Sequence, residues 1–142
     1  MRNERAEQGP LPVDYLTTFV IELLSPVMHY KRALSLAQAA VGTMNASRLT
    51  ICDVGRSLAR VYGIKGKNGI KQVDRLLSND KIDVDRIFAQ SVPWLVGKRE
   101  RIVVTMDWTE YAKDGHSRVS LNLVTNHGRR HLLFGRRFVR IS

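Results

Sequence analysis

The sequence predicts an α+β protein, with a helical N-terminal part followed by antiparallel strands. Three observations predict it. Apolar residues recur at helical spacing as far as about residue 97. From Lys98 onward the pattern becomes β-branched and alternating. The hydrophobic fraction is 44% over 142 residues, enough for a core in one ordinary domain or two small ones.

The first dozen residues are polar, with Pro10 and Pro12, and read as a flexible arm over 1–12. Asp14 is placed to cap the helix that follows. Tyr15, Phe19, Leu23 and Val27 form its apolar stripe, and Pro26 should kink or end it. A second helix is expected from about Lys31 to Val41, with Gly42 to Ser47 as a connection. Thr50 is a good cap for a third, with Ile51, Val54, Leu58 and Val61 on one face and Arg56 and Arg60 on another. The basic glycine-rich stretch Gly63 to Gly69 reads as a turn. A fourth helix follows it, with Asn68 as cap and Ile70, Val73 and Leu77 inward. A fifth runs from about Asp83, with Ile87, Phe88 and Val92 inward; Pro93 should kink it and Gly97 end it. The helical domain therefore spans 13–97 and the strands 98–142.

In that second part, RIVVTMDWTEY is a β-branched run, and Asp114-Gly115 is a hairpin signal. SRVSLNLVT alternates, with Val119, Leu121 and Leu123 on one side and Arg118, Ser120, Asn122 and Val124 on the other. Asn126-His127-Gly128 marks a second turn, and HLLFGRRFVRI reads as a third strand.

Charge narrows the function. Lys and Arg total 23 against 13 acids, a net charge of +10, which asks for a polyanion, with nucleic acid first. From Lys31 to Val73 eight basic residues face one acid, Asp53. A charge run of this kind is either a solvated face or a phosphate-contacting surface. Arg56, Arg60, Lys65, Lys67 and Lys71 are its DNA-binding candidates, on a helix–turn–helix outline from Thr50 to Leu77 whose turn is longer than the tight one of the recognised motif. From Arg129 to Ser142 there are five arginines and no acid.

Several classes are excluded or disfavoured. The lone Cys52 rules out an internal disulfide framework and a multi-cysteine zinc module, and its helix position suggests a core residue. His127 and His131 have the spacing of half a zinc finger, without the cysteines of the other half. Lys67 is followed by Asn68 where a P-loop needs Ser or Thr. No apolar run is long enough to span a membrane, and MRNERAEQGPLPVDY lacks a signal core, so the expected location is cytoplasmic. Asp107, at the end of the apolar run Ile102 to Met106, is the strongest site candidate. An acid there needs a partner such as Arg118, or a metal.

GIKGKNGIKQVDRLLSND, WLVGKRERIVVTMDWTEY and SLNLVTNHGRRH, together spanning about Leu49 to His131, resemble the insertion-sequence DDE transposases of the insertion-sequence-four type. The resemblance implies a helical domain that binds transposon terminal repeats, then a ribonuclease-H-like domain in which two Asp and one Glu hold two Mg2+ ions. It places the first of these acids, catalytic and metal-binding, at Asp107. Two metals about 4 Å apart need several bridging and flanking carboxylates. Beyond Thr109 the chain offers only Glu110 and Asp114, both in or beside the hairpin turn. The expectation is a truncated transposase with no metal stably bound. Relatives continue His-Pro-Leu towards a Trp-Lys-Thr-Val-like stretch. Reading TGG-AAG-ACG-GTT one base later gives Gly-Arg-Arg-Phe, the residues at Gly135 to Phe138, so a frameshift is the expected cause. Without the family's fourth strand and covering helices, Ile102 to Met106 should be an exposed edge.

Three functions compete on these grounds. One is a transposase fragment that binds DNA without strand transfer. A second is a DNA-binding regulator that occupies transposon ends, or pairs with a second transposase chain, and inhibits it. The third is a small nuclease using Asp107, Glu110 and Asp114.

Overall fold

The computed structural model describes residues 12–111, 113, 115–125 and 130–139. The expected flexible arm, Asp114 of the first turn, the turn at Asn126 to Gly128, and Arg140 all lie outside these residues, apart from Pro12. Five helices precede a three-stranded antiparallel sheet, so the protein is α+β. The chain divides into two compact units between Ile82 and Asp83.

In the first unit, α1 (Val13–Leu24), α2 (Tyr30–Met44), α3 (Ile51–Tyr62) and α4 (Gly66–Leu77) pack in succession, α1 on α2, α2 on α3 and α3 on α4. Pro12 holds the cap position of α1. Asp14 therefore lies in the first turn, where its charge favours the positive end of the helix. The helix stops at Leu24, ahead of Pro26. Leu24 is the residue it buries, while Tyr15 of the expected stripe is exposed.

The second helix does not stop at Val41 but continues through Gly42 to Met44. Gly42 is buried because α3 lies against it: a Cβ there would stand 3.0 Å from the Leu58 Cβ and 3.0 Å from the Val54 carbonyl oxygen. A glycine that reads as a connection in sequence is thus a helix contact in the fold. Leu58, with 1% of its surface exposed, lies with Val54 and Val73 at the centre of this core.

The cap of α3 is as expected. The Thr50 hydroxyl oxygen accepts from the Asp53 N–H at 3.1 Å, and its O–H donates to Asp53 Oδ2 at 2.8 Å. Helix α3 ends at Gly63, whose φ of 66° lies in the left-handed region that glycine enters without steric cost. The turn is shorter than Gly63 to Gly69. It holds only Gly63, Ile64 and Lys65, and α4 begins at Gly66 with Lys65, not Asn68, as its cap residue.

The two helices cross with their backbones almost touching. A Cβ on Gly55 would sit 2.6 Å from the Ile70 nitrogen, and one on Gly69 would sit 2.9 Å from the Ala59 Cβ. This approach sets the rotation of α4. Gly69, Val73 and Leu76 are buried, and Leu77, expected inward, is 68% exposed. Cys52 is also exposed, on the side of α3 away from Val54 and Leu58, and is not a core residue.

The second unit joins α5 (Val84–Val96) to β1 (Val103–Tyr111), β2 (His116–Val124) and β3 (Arg130–Val139). Asp83 caps α5 by accepting from the Arg86 N–H at 3.0 Å. The helix passes through Pro93 and ends at Gly97, whose φ is 61°. It packs on β3, with the Phe88 and Phe134 rings 6.0 Å apart. The compact units therefore divide before α5, whereas the sequence changes character only at Lys98. The composition there marks a change of secondary structure, not of packing partner.

Sheet order is β1-β2-β3, with Asp107 opposite Ser120 and Ser120 opposite Gly135. The alternation of β2 follows the expected phase, with Leu123 buried. A bulge opposite Leu121 and Asn122 accommodates the extra residue Leu133 in β3. Strand β1 is an edge, and Val103, Met106 and Trp108 are 65%, 71% and 55% exposed. Trp108 stacks on Phe138 at 6.1 Å across the sheet.

Gly55→Ala should lower the unfolding free energy by about 1–3 kcal/mol, because the Ile70 backbone must move to admit the methyl. Gly66→Ala, which meets nothing within 4 Å, should change it by less than about 0.5 kcal/mol. Chemical denaturation of both variants checks this, and equal midpoints would show that the crossing tolerates a side chain.

Candidate nucleic-acid interface and the Asp107 strand

Helices α3 and α4 form a helix–turn–helix with a three-residue glycine turn, Gly63 to Lys65, within the length of the DNA-binding motif. Burial of Val54, Gly55, Ser57, Leu58 and Ala59 leaves the opposite face of α3 to solvent, and Arg56 and Arg60 stand on it. Arg56 lies 3.9 Å from Asp53, one turn back, with 63% of its side chain exposed. At that exposure the pair adds little stability and leaves the guanidinium accessible. Lys65, Lys67 and Lys71 are all exposed, the first at the α4 cap position and the second in its first turn.

A groove of about 530 Å³ runs between the start of α2 and the outer side of α4. It is lined by Lys31, Arg32 and Ser35 from α2, by Asn68, Lys71, Gln72, Arg75 and Leu76 from α4, and by Asn79. Four of these are cations and none is an acid. Of the five DNA-binding candidates only Lys71 lines this groove. Arg56, Arg60, Lys65 and Lys67 lie outside it. Lys31 and Arg32 open the basic run from Lys31 to Val73 but are not among those five. The signal for Arg75 was present, since it falls four residues after Lys71 on one helical stripe.

No sequence family, curated protein or solved structure matches this chain.

Asp107 is exposed, in the middle of β1. Its Oδ2 accepts from the Thr109 hydroxyl at 3.3 Å. The ion pair found among the described residues is Arg56 with Asp53, not Asp107 with Arg118. Strand alternation and register give Asp107 the face shared by Thr105, Thr109, Ser120, Asn122 and Arg118. Glu110, three residues on, points from the opposite face. A nuclease built on Asp107 and Glu110 is thus corrected by strand geometry, while Asp114 lies outside the described residues.

These donors do not fit a two-metal centre. Mg2+ pairs are held by bridging carboxylates. Beside Asp107 stand neutral hydroxyls and an amide, including the unpartnered Thr105 hydroxyl, and one guanidinium. Among the described residues no three His, Cys, Asp or Glu side chains come together. Millimolar Mg2+ should accordingly leave the unfolding midpoint within about 1 °C of its metal-free value, since only ligands bound to the folded state raise it. A larger rise that disappears in Asp107→Asn would establish a metal site here.

Proposed function

We propose that this chain is the N-terminal part of an insertion-sequence DDE transposase and binds the duplex DNA of transposon terminal repeats through its helix–turn–helix. The observation that carries the reading is the α3–α4 pair. Its turn is three residues long, its helices cross at Gly55 and Gly69, and its outward faces carry Arg56, Arg60, Lys65, Lys67 and Lys71. In such a pair the second helix enters the major groove through its N-terminal residues, and the first lies across the backbone. Lysines and arginines supply salt-dependent phosphate contacts. Asp107 is the first metal-binding acid of the family's catalytic set under this proposal, and Mg2+ is the metal of the intact enzyme.

A regulatory reading follows from the face of Asp107, which it shares with no second acid among the described residues. A chain that occupies transposon ends without cutting them competes with, or pairs with, an active transposase chain and inhibits it.

The test is binding of the full chain to a terminal-repeat duplex and to a scrambled duplex across a salt series. The expected result is tighter binding to the repeat, a steep negative salt slope, and no cleavage when Mg2+ is added. Alanine at Arg56, Arg60, Lys65, Lys67 and Lys71 together should flatten the slope by about 0.9 for each phosphate that is no longer neutralised. Mg2+-dependent nicking, or binding that salt does not weaken, would reject the proposal.

A further inference from the structure

The groove between α2 and α4 has the chemistry of a second anion-binding surface. It gathers four cations, Lys31, Arg32, Lys71 and Arg75, from two helices that are tied by Gln38 and Gln72, 34 residues apart in the chain. No acidic side chain lines it. Arrays of like charge at short range repel, and the repulsion is relieved by counter-ions or an anionic ligand. The width of the groove is held as well. Gln72 Nε2 donates to Gln38 Oε1 at 2.6 Å, which ties α2 to α4 beside the groove. On the α2 side, an Arg32 guanidinium N–H reaches the Lys81 carbonyl oxygen at 3.5 Å, near the limit for a hydrogen bond, and leaves the other donors of the fork available.

We infer that this groove holds the phosphodiester backbone of one DNA strand, with Lys31 and Arg32 contacting phosphates on the α2 side and Lys71 and Arg75 on the α4 side. The inference rests on the DNA-binding reading and adds a contact surface that the helix–turn–helix does not supply. The ligand chemistry follows from the lining. Cations on both walls, with no acid and no aromatic ring in the lining, suit a continuous polyanion, whose phosphates are regularly spaced, better than a nucleobase that needs a stacking partner. Gln72 spends its amide on Gln38, so this wall positions the duplex more than it reads bases.

The test compares three full-length proteins on the same two duplexes: the unchanged chain, Lys31→Ala with Arg32→Ala, and Lys98→Ala with Arg101→Ala. The two double variants remove the same net charge, and none of the four positions is buried. Lys31 and Arg32 lie in the first turn of α2, where cations oppose the helix dipole, so their removal should not unfold the helix. Unchanged circular dichroism checks that, and glutamine at both positions serves as a second variant. The expected result is a salt slope smaller by about 2, at about 0.9 per phosphate, for the α2 variants only. Affinity should fall by the same factor on repeat and scrambled DNA, the mark of a backbone contact. An unchanged slope in both α2 variants, with the effect confined to changes at Arg56, Arg60, Lys65 and Lys67, would overturn the groove and leave the DNA-binding function standing. An equal effect in the Lys98 and Arg101 variant would reduce the result to net charge and also overturn it. A preference for single-stranded RNA over duplex DNA, abolished in the α2 variants, would overturn the assignment to DNA. Absence of duplex binding by the unchanged chain would overturn both readings.

Discussion

Two glycines hold the basic unit together by what they lack. Gly55 on α3 and Gly69 on α4 bring two helix backbones to a separation that no Cβ can share. Everything outward of the crossing follows from it. The rotation of α4 sends Val73 and Leu76 into the core, and Asn68, Lys71 and Arg75 into the groove beside α2. A wider crossing would turn α4 on its axis and move the lysines off the surface they now share. Gly42 does the same between α2 and α3, against Leu58. Three helices are thus drawn close by small residues rather than by large side chains. The core that results is made mainly of alanines, valines and leucines.

The electrostatics of this unit are unbalanced in a particular direction. Helices α1 and α3 carry acids in their first turns, as the helix dipole favours. Helices α2 and α4 carry none, and place lysine or arginine there instead. That arrangement contributes no stability to the isolated fold. Its physical use is to hold positive charge at the surface, where long-range attraction steers a polyanion and falls with added salt.

The sheet unit is built on a different constraint. A strand displays alternate residues on opposite faces, so acids an odd number of positions apart cannot converge on one ion. Asp107 and Glu110 are separated in this way. Strand β1 is also an edge, with Met106 and Trp108 largely exposed. Unpaired N–H and C=O groups along such an edge are open to another strand. The partial cover comes from α5 on β3, through Phe88 and Phe134, at the far side of the sheet from β1.

Much of this was written in local pattern. The α+β class, the five helices, the Thr50 and Asp83 caps, and the three strands with the phase of Val119, Leu121 and Leu123 all depend on residues close in the chain. Local spacing could not give the ends of α2 or the start of α4, because Gly42 and Gly66 look like breakers until a neighbouring helix or a cap is known. It misjudged Cys52 and Leu77, whose exposure depends on how α3 and α4 turn against each other. It grouped five cations by proximity in sequence, while the groove takes Lys71 from that group and adds Lys31, Arg32 and Arg75. Propensity, periodicity and charge are local or summed properties, so the order and type of the elements and the basic character of the chain are legible without the fold. Which cations share a groove and which side chains surround Asp107 are set instead by helix crossing and strand register, contacts between residues far apart in the chain.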